Sequence, residues 1–331
     1  MSKVGIIANP VSGKDIRRLV AYASLVDNRE KTNLVRRIIL GIDSTGVDEI
    51  LIMPDYYGLG SRALDGLGRK NIRARVSTLD MTVSGTQEDS TTAMRLMREL
   101  GVGCVVTVGG DGTNRAVAKG DRSIPLVPLS TGTNNVFPVM VEATTAGIAA
   151  GIIARGVVDL EDVVTTHKRL VIIENGSESD MALIDVVVLE QPFVGSRAIW
   201  KLSEVKQVIC TRAEPDSMGL SCIGGSVCPV GPEDDHGLYL KLGEGNLRVR
   251  AAVLPGVIQE IGIQELKLIK LGEEVELSQK PCLIALDGER ERTVKARDEV
   301  RVRLERDGPR VVDISKAIKK AATQGFFASR N

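Results

Sequence analysis

The segment VVTVGGDGTNRAVA, residues 105–118, places three glycines and one aspartate directly after a β-branched run. Gly109, Gly110 and Gly112 carry no Cβ, so the backbone can turn with φ above zero and its N–H groups can approach an anion such as phosphate. Asp111 adds a carboxylate, which repels phosphate unless it binds a cation or takes a proton from an attacking group. The segment indicates Mg²⁺ binding or general-base chemistry at Asp111. A tight turn in which Asp111 caps the next helix is the alternative.

Three further polar segments follow apolar runs that are typical of strands. IIANPVSGKD, residues 6–15, does not match the GxxxxGK[ST] phosphate loop, because Ala8 and Asp15 occupy two of its defined positions. LVPLSTGTNNVFP contains small hydroxyl and amide side chains that bind polar ligands or cap a helix. IALDGERE contains two carboxylates at an Asp-Gly pair, which taken alone is a hairpin turn. The candidate site residues in these segments are Asn9, Thr131, Gly132, Thr133, Asn134, Asn135, Asp287 and Glu289.

The length and composition are those of a folded protein with no strong overall charge. The chain has 331 residues, enough for two domains at about 100–200 residues each. Its 43 lysines and arginines balance its 43 aspartates and glutamates, so no net charge attracts it to nucleic acid or an anionic membrane. The five cysteines form no CxxC pair, which favours a reducing compartment, and no apolar run reaches the roughly 18 residues of a membrane span. We expect a cytoplasmic protein without a nucleic-acid or membrane partner.

Residues 1–150 alternate short apolar runs with amphipathic segments, the pattern of βαβ units around a parallel sheet. Ligands of such sheets bind beyond the carboxyl ends of the strands, so the polar segments are expected to meet there. GTQEDSTTAMRLMREL predicts a helix capped by Asp89 or Ser90, and EATTAGIAAGIIARG predicts a helix of small residues that ends at Gly156. The predicted strands are KVGIIAN, EILIMP, IRARVSTL, CVVTVGG and IPLVPL.

Residues 151–310 have a different texture, in which strand-like runs follow one another with few helical segments between them. The predicted strands are RLVIIEN, MALIDVVVLE, LYLKLG, NLRVRAAVLP and CLIAL. The tail DISKAIKKAATQGFF, within residues 311–331, returns to helical spacing, and we expect it to pack back on the first domain. The pattern predicts an α/β domain with a Rossmann-like parallel sheet, followed by a β-rich second domain.

Four motifs in this order resemble the superfamily of NAD kinases and of diacylglycerol and sphingosine-type lipid kinases. They are NPVSG after the first strand, VGGDGT after a later one, STGTNN after the next, and DGE late in the chain. Within the superfamily the sequence is most similar to AcoX-type proteins, an ATP-NAD kinase-like family associated with acetoin catabolism. The segments that carry this resemblance are NPVSGKDIRRLVAYAS, EILIMPDYYGLGSRALDGL and VVTVGGDGTNRAVAKG.

The resemblance implies a kinase with its active site in a cleft between the two domains, with ATP as donor, Mg²⁺ as metal, and a dimeric or tetrameric assembly. It assigns the catalytic role and metal binding to Asp111. It places Asp185, Asp287 and Glu289 among the acceptor-binding residues, and Asp287 and Glu289 shape either the metal or the acceptor side. The residues it assigns to phosphate or nucleotide contact are Asn9, Gly109, Gly110, Gly112, Thr113, Thr131, Gly132, Thr133, Asn134 and Asn135.

The acceptor stays open because the sequence departs from the NAD kinase pattern. Ile184 stands where NAD kinases have an asparagine that grips the dinucleotide, and isoleucine cannot make a buried polar contact. The acceptor is therefore either NAD or a small metabolite linked to acetoin catabolism, and the donor either ATP or polyphosphate.

Two functions other than a kinase are also compatible with a nucleotide-binding fold. One is a nucleotide-binding or regulatory protein that has lost catalysis, and the other is an NAD-binding oxidoreductase, for which the GxGxxG fingerprint is missing.

Overall fold

The structure is a computed structural model that describes residues 1–12, 22, 26–68, 72–190, 202–277 and 279–328, apart from the side chains of residues 290 and 291. Gly13 of the NPVSG segment lies outside this part of the chain. The first strands are β1 (Lys3–Ala8), β2 (Glu49–Ile52), β3 (Arg75–Thr78), β4 (Cys104–Gly109) and β5 (Leu126–Ser130). The helices among and after them are α1 (Asn28–Ser44), α2 (Leu59–Asp65), α3 (Glu88–Glu99), α4 (Asp111–Gly120), α5 (Ala143–Ala154) and α6 (Leu160–Val163).

These strands form a parallel sheet that is covered by helices on both faces, as the sequence predicts. The five strands are hydrogen-bonded in the order β3-β2-β1-β4-β5. Every residue of β4 and β5 is buried, because a strand between two helical layers has no solvent-facing side. One apolar cluster joins the sheet to α1, α2 and α5, and another joins it to α3 and α4. The carboxyl ends of β1, β4 and β5 therefore lie side by side.

The cap predicted for α3 is wrong. The helix begins at Glu88 with Gln87 at its N-cap, so Asp89 lies inside the first turn rather than before it. The Asp89 carboxylate accepts hydrogen bonds from the backbone of Ser84 and Gly85 instead. The aspartate thus closes the loop that leads into the helix.

The second half of the chain contains two antiparallel sheets that share an apolar core. The six-stranded sheet has the order β12-β11-β10-β9-β14-β15, and the four-stranded sheet has the order β13-β16-β7-β8. The strands are β6 (Val164–Thr166), β7 (Arg169–Glu174), β8 (Ser177–Ala182), β9 (Asp185–Leu189), β10 (Val205–Cys210), β11 (His236–Leu254), β12 (Val257–Lys270), β13 (Glu274–Glu276), β14 (Cys282–Leu286), β15 (Glu289–Val294), β16 (Val300–Glu305) and β17 (Arg310–Val312).

Two predicted strand boundaries differ in the structure. LYLKLG and NLRVRAAVLP form one continuous strand, β11, which pairs with β12 through an irregular register between Leu242 and Leu247. MALIDVVVLE is divided, because β8 ends at Ala182 and β9 begins at Asp185. The break at Leu183 and Ile184 frees their backbone N–H groups to bind a carboxylate from elsewhere in the chain.

Elements from the second half also join the first sheet. β17 pairs in parallel with β5 and antiparallel with β6, which extends the sheet to seven strands. The later α-helices of the described ranges are α7 (Ser221–Gly225) and α8 (Ile314–Thr323), and Ala317 and Ala321 of α8 are buried in the apolar cluster that contains α5. All five cysteines are free thiols. In the described ranges, no helix combines the length and apolar character needed to cross a bilayer.

Candidate active site

The loops that follow β1, β4 and β5 are joined by side-chain hydrogen bonds. Asn9 Nδ2 donates to Thr113 Oγ1 at 2.9 Å, which connects the first loop to α4. The hydroxyls of Ser12 and Thr131 lie 3.1 Å apart, which connects the first loop to the STGTNN loop. The parallel sheet thus brings three segments that are far apart in sequence into a single cluster at one edge.

A buried lysine that the sequence analysis missed holds the first loop. Lys31 of α1 is 1% exposed, and its Nζ donates to the carbonyl oxygens of Asn9, Pro10 and Ser12 at 3.0, 3.3 and 2.6 Å. Its position is in register with the buried apolar stripe of α1 that includes Val35. This register is the one sequence signal of the burial of Lys31, since a lysine in the first turn of a helix is ordinarily solvated.

The expectation that the three glycines of the GGDG loop adopt positive φ is wrong. Gly110 has φ of −105°, and neither Gly109 nor Gly112 has positive φ. The glycines are needed for space instead. A Cβ would lie 2.5 Å from Thr113 Oγ1 at Gly109, 2.7 Å from Asn135 Oδ1 at Gly110, and 2.8 Å from Glu289 Oε1 at Gly112. The loop is therefore packed closely against side chains that the sequence also places in the site.

Asp111 is the first residue of α4, and its carboxylate reaches across to the STGTNN loop. Its oxygens accept hydrogen bonds from the backbone N–H of Val136 at 3.1 Å and of Phe137 at 2.7 Å. The aspartate thus ties the loop after β5 to the loop after β4. It also lines the pocket between the two halves of the chain, where it can meet a ligand.

The two asparagines of the STGTNN loop have different surroundings. Asn135 donates from Nδ2 to Ser130 Oγ at 2.8 Å and to the Gly132 carbonyl at 3.3 Å, so its amide group stabilises the loop. Asn134 lines the pocket, and its Oδ1 is buried without a hydrogen-bond partner among the described residues. Buried acceptors are normally paired, so this oxygen is a candidate ligand contact. In the same loop Thr131 is buried, and Gly132 and Thr133 are half-buried.

Asp287 lies in the turn between β14 and β15, with φ of +52°, and its side chain is fully buried. Its carboxylate accepts hydrogen bonds from the backbone N–H of Leu183 and Ile184, at 3.0 and 2.7 Å, where MALIDVVVLE is broken. Nε of Arg115, from α4, lies 3.4 Å away. Burial raises the pKa of Asp287 to about 6, partly offset by Arg115. The late acidic motif therefore reaches the GGDG helix across the two halves of the chain.

Glu289 is placed against the GGDG loop by a residue that the sequence analysis did not consider. Gln87, at the N-cap of α3, donates from Nε2 to Glu289 Oε2 at 2.7 Å. Glu289 Oε1 faces the space beside Gly112. No local pattern in the sequence marks Gln87 as a partner of a residue 202 positions later.

A second buried arginine, also missed, supports the STGTNN loop from the other half of the chain. Arg212 donates from Nη2 to the Val136 carbonyl at 2.6 Å, and its guanidinium lies 5.6 Å from the ring centre of Phe137. Burial lowers the pKa of Arg212, while Glu214, Asp111 and Asp287 act in the opposite direction. Its charge stabilises the carboxylates of the site.

His167 packs against the same Phe137 ring with a centroid separation of 5.5 Å. Burial lowers the pKa of His167 to about 3, so the imidazole is neutral near pH 7. His167 therefore packs beside the loop as an uncharged ring.

A pocket of about 660 Å³, including its open mouth, lies between the two halves. Three separate segments place carboxylates on its wall: Asp111 from the GGDG loop, Asp185 from the start of β9, and Asp287 from the late acidic turn. The other lining residues are Asn134, Val136, Ile184, Leu202, Met218, Gly219, Leu220, Val253, Leu254, Gln259 and Gly288. The predicted catalytic residue and two of the three predicted acceptor residues thus share this pocket, while Glu289 lies beside the glycine loop.

Comparisons with known proteins agree with this arrangement. The ATP-NAD kinase N-terminal domain family model matches residues 4–157, and the acetoin catabolism protein X C-terminal domain model matches residues 168–307. Acetoin catabolism protein X from Cupriavidus necator is 36% identical over 337 residues, covering 98% of this chain and 94% of its own. The chain belongs to the acetoin catabolism protein X family. Its first domain is NAD kinase-like, as the sequence motifs indicated.

A crystal structure described as a diacylglycerol kinase from Bacillus anthracis str. Sterne covers 94% of this acetoin catabolism protein X family member and 96% of its own chain. The identity is 13% and the TM-score is 0.48. At these values the likeness supports no argument about substrate or mechanism.

The oxygen atoms of the site fit a magnesium ion that is bound jointly by the protein and a nucleotide. No set of three or more histidine, cysteine, aspartate or glutamate side chains within the described ranges is placed to hold a metal ion. Mg²⁺, however, commonly binds one or two carboxylates and completes its shell with waters and substrate phosphates. Asp111, Asp185 and the Oδ1 of Asn134 are hard oxygen ligands of this kind. The residues fit an ion that arrives with a nucleotide, and do not fit an ion held by the protein alone.

Proposed function

We propose that this acetoin catabolism protein X family member is an ATP-dependent phosphotransferase whose acceptor hydroxyl binds in the pocket between its two halves. The observation that carries the proposal is the meeting of Asp111, Asp185 and Asp287, from three distant segments, on the wall of one pocket. The match of residues 4–157 to the NAD kinase N-terminal domain supports the reaction class. The name of the Cupriavidus necator relative favours an acceptor linked to acetoin catabolism, with NAD as the other candidate.

In the proposed reaction the acceptor oxygen forms a bond to the γ-phosphorus, and the bond from that phosphorus to the oxygen bridging the β-phosphate breaks. ADP leaves with the electron pair of the broken bond. The hydroxyl proton passes to the carboxylate of Asp111 and from there to solvent. Magnesium bound with the nucleotide would neutralise charge on the phosphate oxygens. Phosphoryl transfer depends mainly on positioning and charge stabilisation, so no covalent intermediate on the protein is needed.

The remaining residues of the site hold the reacting groups in place. Lys31 and Asn9 fix the first loop, and Arg212 fixes the backbone of the STGTNN loop. Gln87 orients Glu289 beside Gly112. The donor, ATP or polyphosphate, would contact the backbone and hydroxyls of the loops after β1, β4 and β5. The free thiols suit a cytoplasmic setting for this activity.

Replacement of Asp111 by asparagine tests the proposal. Asparagine keeps an oxygen that can accept from Val136 and Phe137, so we expect the thermal unfolding midpoint to stay within a few degrees of the wild-type value. Loss of the base should lower kcat about 100-fold or more. The measurement is ADP release and ³¹P NMR of the phosphorylated product with Mg-ATP and a panel of hydroxyl acceptors. Asp80→Asn, at an exposed carboxylate, is the matched control.

Full activity of Asp111→Asn would remove this carboxylate from the mechanism. A wild-type protein that binds Mg-ATP in calorimetry, yet transfers phosphate from neither ATP nor polyphosphate to any acceptor, would overturn the proposal. That result would favour a nucleotide-binding regulatory protein.

A further inference from the structure

The pocket lining combines hydrogen-bond acceptors with apolar side chains, and the two restrict the ligand differently. The carboxylates of Asp111 and Asp185 are acceptors, and so is the buried Oδ1 of Asn134, which has no hydrogen-bond partner among the described residues. A ligand that pairs with them must bring hydrogen-bond donors. The apolar lining residues are Val136, Ile184, Leu202, Met218, Leu220, Val253 and Leu254. This lining suits a molecule that carries both hydroxyl and alkyl groups.

The charge of the described pocket lining disfavours an anionic acceptor. Among the described lining residues, three are aspartates and none is a lysine or an arginine. The nearby arginines are engaged elsewhere, Arg115 with Asp287 and Arg212 with the Val136 carbonyl. A negatively charged acceptor group beside these aspartates is unfavourable because like charges repel. The nucleotide donor differs, because it would bring a magnesium ion that offsets its charge.

Apart from the space of its open mouth the pocket is small, with a cavity volume of about 60 Å³. None of the described lining residues is aromatic, so none offers the ring face on which adenine or nicotinamide commonly stacks.

We propose that the acceptor is a small neutral aliphatic diol, rather than NAD. One hydroxyl donates to Asp111, which receives its proton during transfer, and the other donates to Asn134. The alkyl carbons lie against Ile184, Met218 and Leu220. Ile184 thus selects the acceptor, because its side chain packs against the alkyl carbons of the diol. An asparagine at this position, as in NAD kinases, would need a polar partner from the ligand instead. This proposal rests on the proposed function, which it makes specific.

Two measurements test the diol separately from the phosphotransfer. Calorimetry without any donor measures binding of butane-2,3-diol, ethane-1,2-diol, glycerol 3-phosphate and NAD. A transfer assay with Mg-ATP measures kcat/KM for the same four compounds. We expect butane-2,3-diol to bind most tightly and to react about fifteenfold better than ethane-1,2-diol, because two additional methyl groups are buried at about fourfold each. Transfer to NAD and to glycerol 3-phosphate should be at least about 100-fold slower, a difference within the range that missing or unpaired polar contacts produce.

Met218→Trp fills the pocket and should abolish diol binding in calorimetry. Met140→Trp is the matched control, since Met140 is 66% exposed and does not line the pocket. If Met218→Trp does not fold, Leu254→Trp fills the same space from the end of β11.

The outcomes separate the two proposals. Diol binding that Met218→Trp abolishes, without any transfer, supports the ligand class and overturns the phosphotransferase. Phosphorylation of NAD with no binding of either diol overturns the ligand class and leaves the phosphotransferase in place. Absence of diol binding altogether, or equal binding by both Met→Trp variants, also overturns the ligand class.

Discussion

Asp287 has a carboxylate that is fully buried, bound by the backbone N–H groups of Leu183 and Ile184 and paired with Arg115. Burial favours the protonated form and outweighs these partners, which is why the pKa is raised to about 6 from an ordinary value of 3.8. The role of this residue is therefore to hold the break between β8 and β9 against α4. Its protonation state should affect how firmly that junction is held.

The raised pKa of Asp287 predicts a dependence of stability on pH. The folded state binds this proton more tightly than the unfolded chain, so the stabilisation is complete below about pH 4 and is lost as the pH rises through about 6. The shift of about 2 units corresponds to about 3 kcal/mol in the free energy of unfolding. Urea unfolding between pH 4 and pH 8 measures this. The wild-type free energy minus that of Asp287→Asn should decrease by about this amount as the pH rises.

Asp80→Asn, which removes an exposed carboxylate that does not line the pocket, is the control for the pH series. A constant difference between wild type and Asp287→Asn over the whole range would contradict the raised pKa.

At the scale of single elements, α1 supports the site through one charged side chain in its buried face. Lys31 is the only described cation that donates to the carbonyls of Asn9, Pro10 and Ser12 together. An ammonium group satisfies three acceptors at once, which no apolar side chain at this position could do. The order of the first loop therefore depends on how α1 packs on the sheet.

Lys31→Met keeps the length of the side chain and removes the donor. We expect the free energy of unfolding to fall by about 1–3 kcal/mol, because the buried carbonyl oxygens lose a charged partner. Amide hydrogen exchange at Val11 and Ser12 should become faster, since both N–H groups bond to Asn9 within this loop. Lys319→Met, at an exposed lysine of α8, is the matched control. Equal stability and equal exchange in the two variants would show that Lys31 does not hold the loop.

At the scale of the whole molecule, side-chain contacts join the two halves around the site. Arg115 pairs with Asp287, Gln87 donates to Glu289, and Arg212 donates to the Val136 carbonyl. Each contact has one partner in the α/β sheet region and the other in the β-rich region. The pocket between the halves is therefore shaped by long-range polar contacts as well as by apolar packing.

A double-mutant cycle tests whether the Arg115–Asp287 pair couples the halves. Arg115→Met leaves a buried carboxylate without its cation, so we expect a loss of about 3–5 kcal/mol in the free energy of unfolding. The double variant Arg115→Met/Asp287→Leu should lose less than the sum of the two single variants, by about 1 kcal/mol or more. Urea unfolding of the four proteins provides the measurement.

The exposed pair Arg248–Glu260, on the β11–β12 hairpin, is the control cycle, and its coupling should be about 0–1 kcal/mol. If the Arg115–Asp287 cycle were additive, the ion pair would not contribute to holding the halves together.

The local sequence pattern was sufficient to predict the α/β region, the β-rich region and the polar motifs at the strand ends. Buried parallel strands are continuous apolar runs, and loops at their carboxyl ends collect polar residues, so both features are legible without coordinates. The order of strand and loop along the chain also indicated that Asn9, Asp111 and the STGTNN loop would be neighbours. Membership of the acetoin catabolism protein X family follows from the same motifs and the 36% identity.

The tertiary structure alone decided which side chains complete the site. Lys31, Gln87 and Arg212 act on residues that are distant in sequence, and no spacing in the sequence identifies these partners, although helical periodicity indicates that Lys31 lies on the buried face of α1. It also showed that the GGDG glycines are needed for space and not for positive φ, because the neighbours that crowd them come from other segments. A sequence specifies local backbone preferences directly, whereas burial, charge pairing and close packing arise only when distant segments meet.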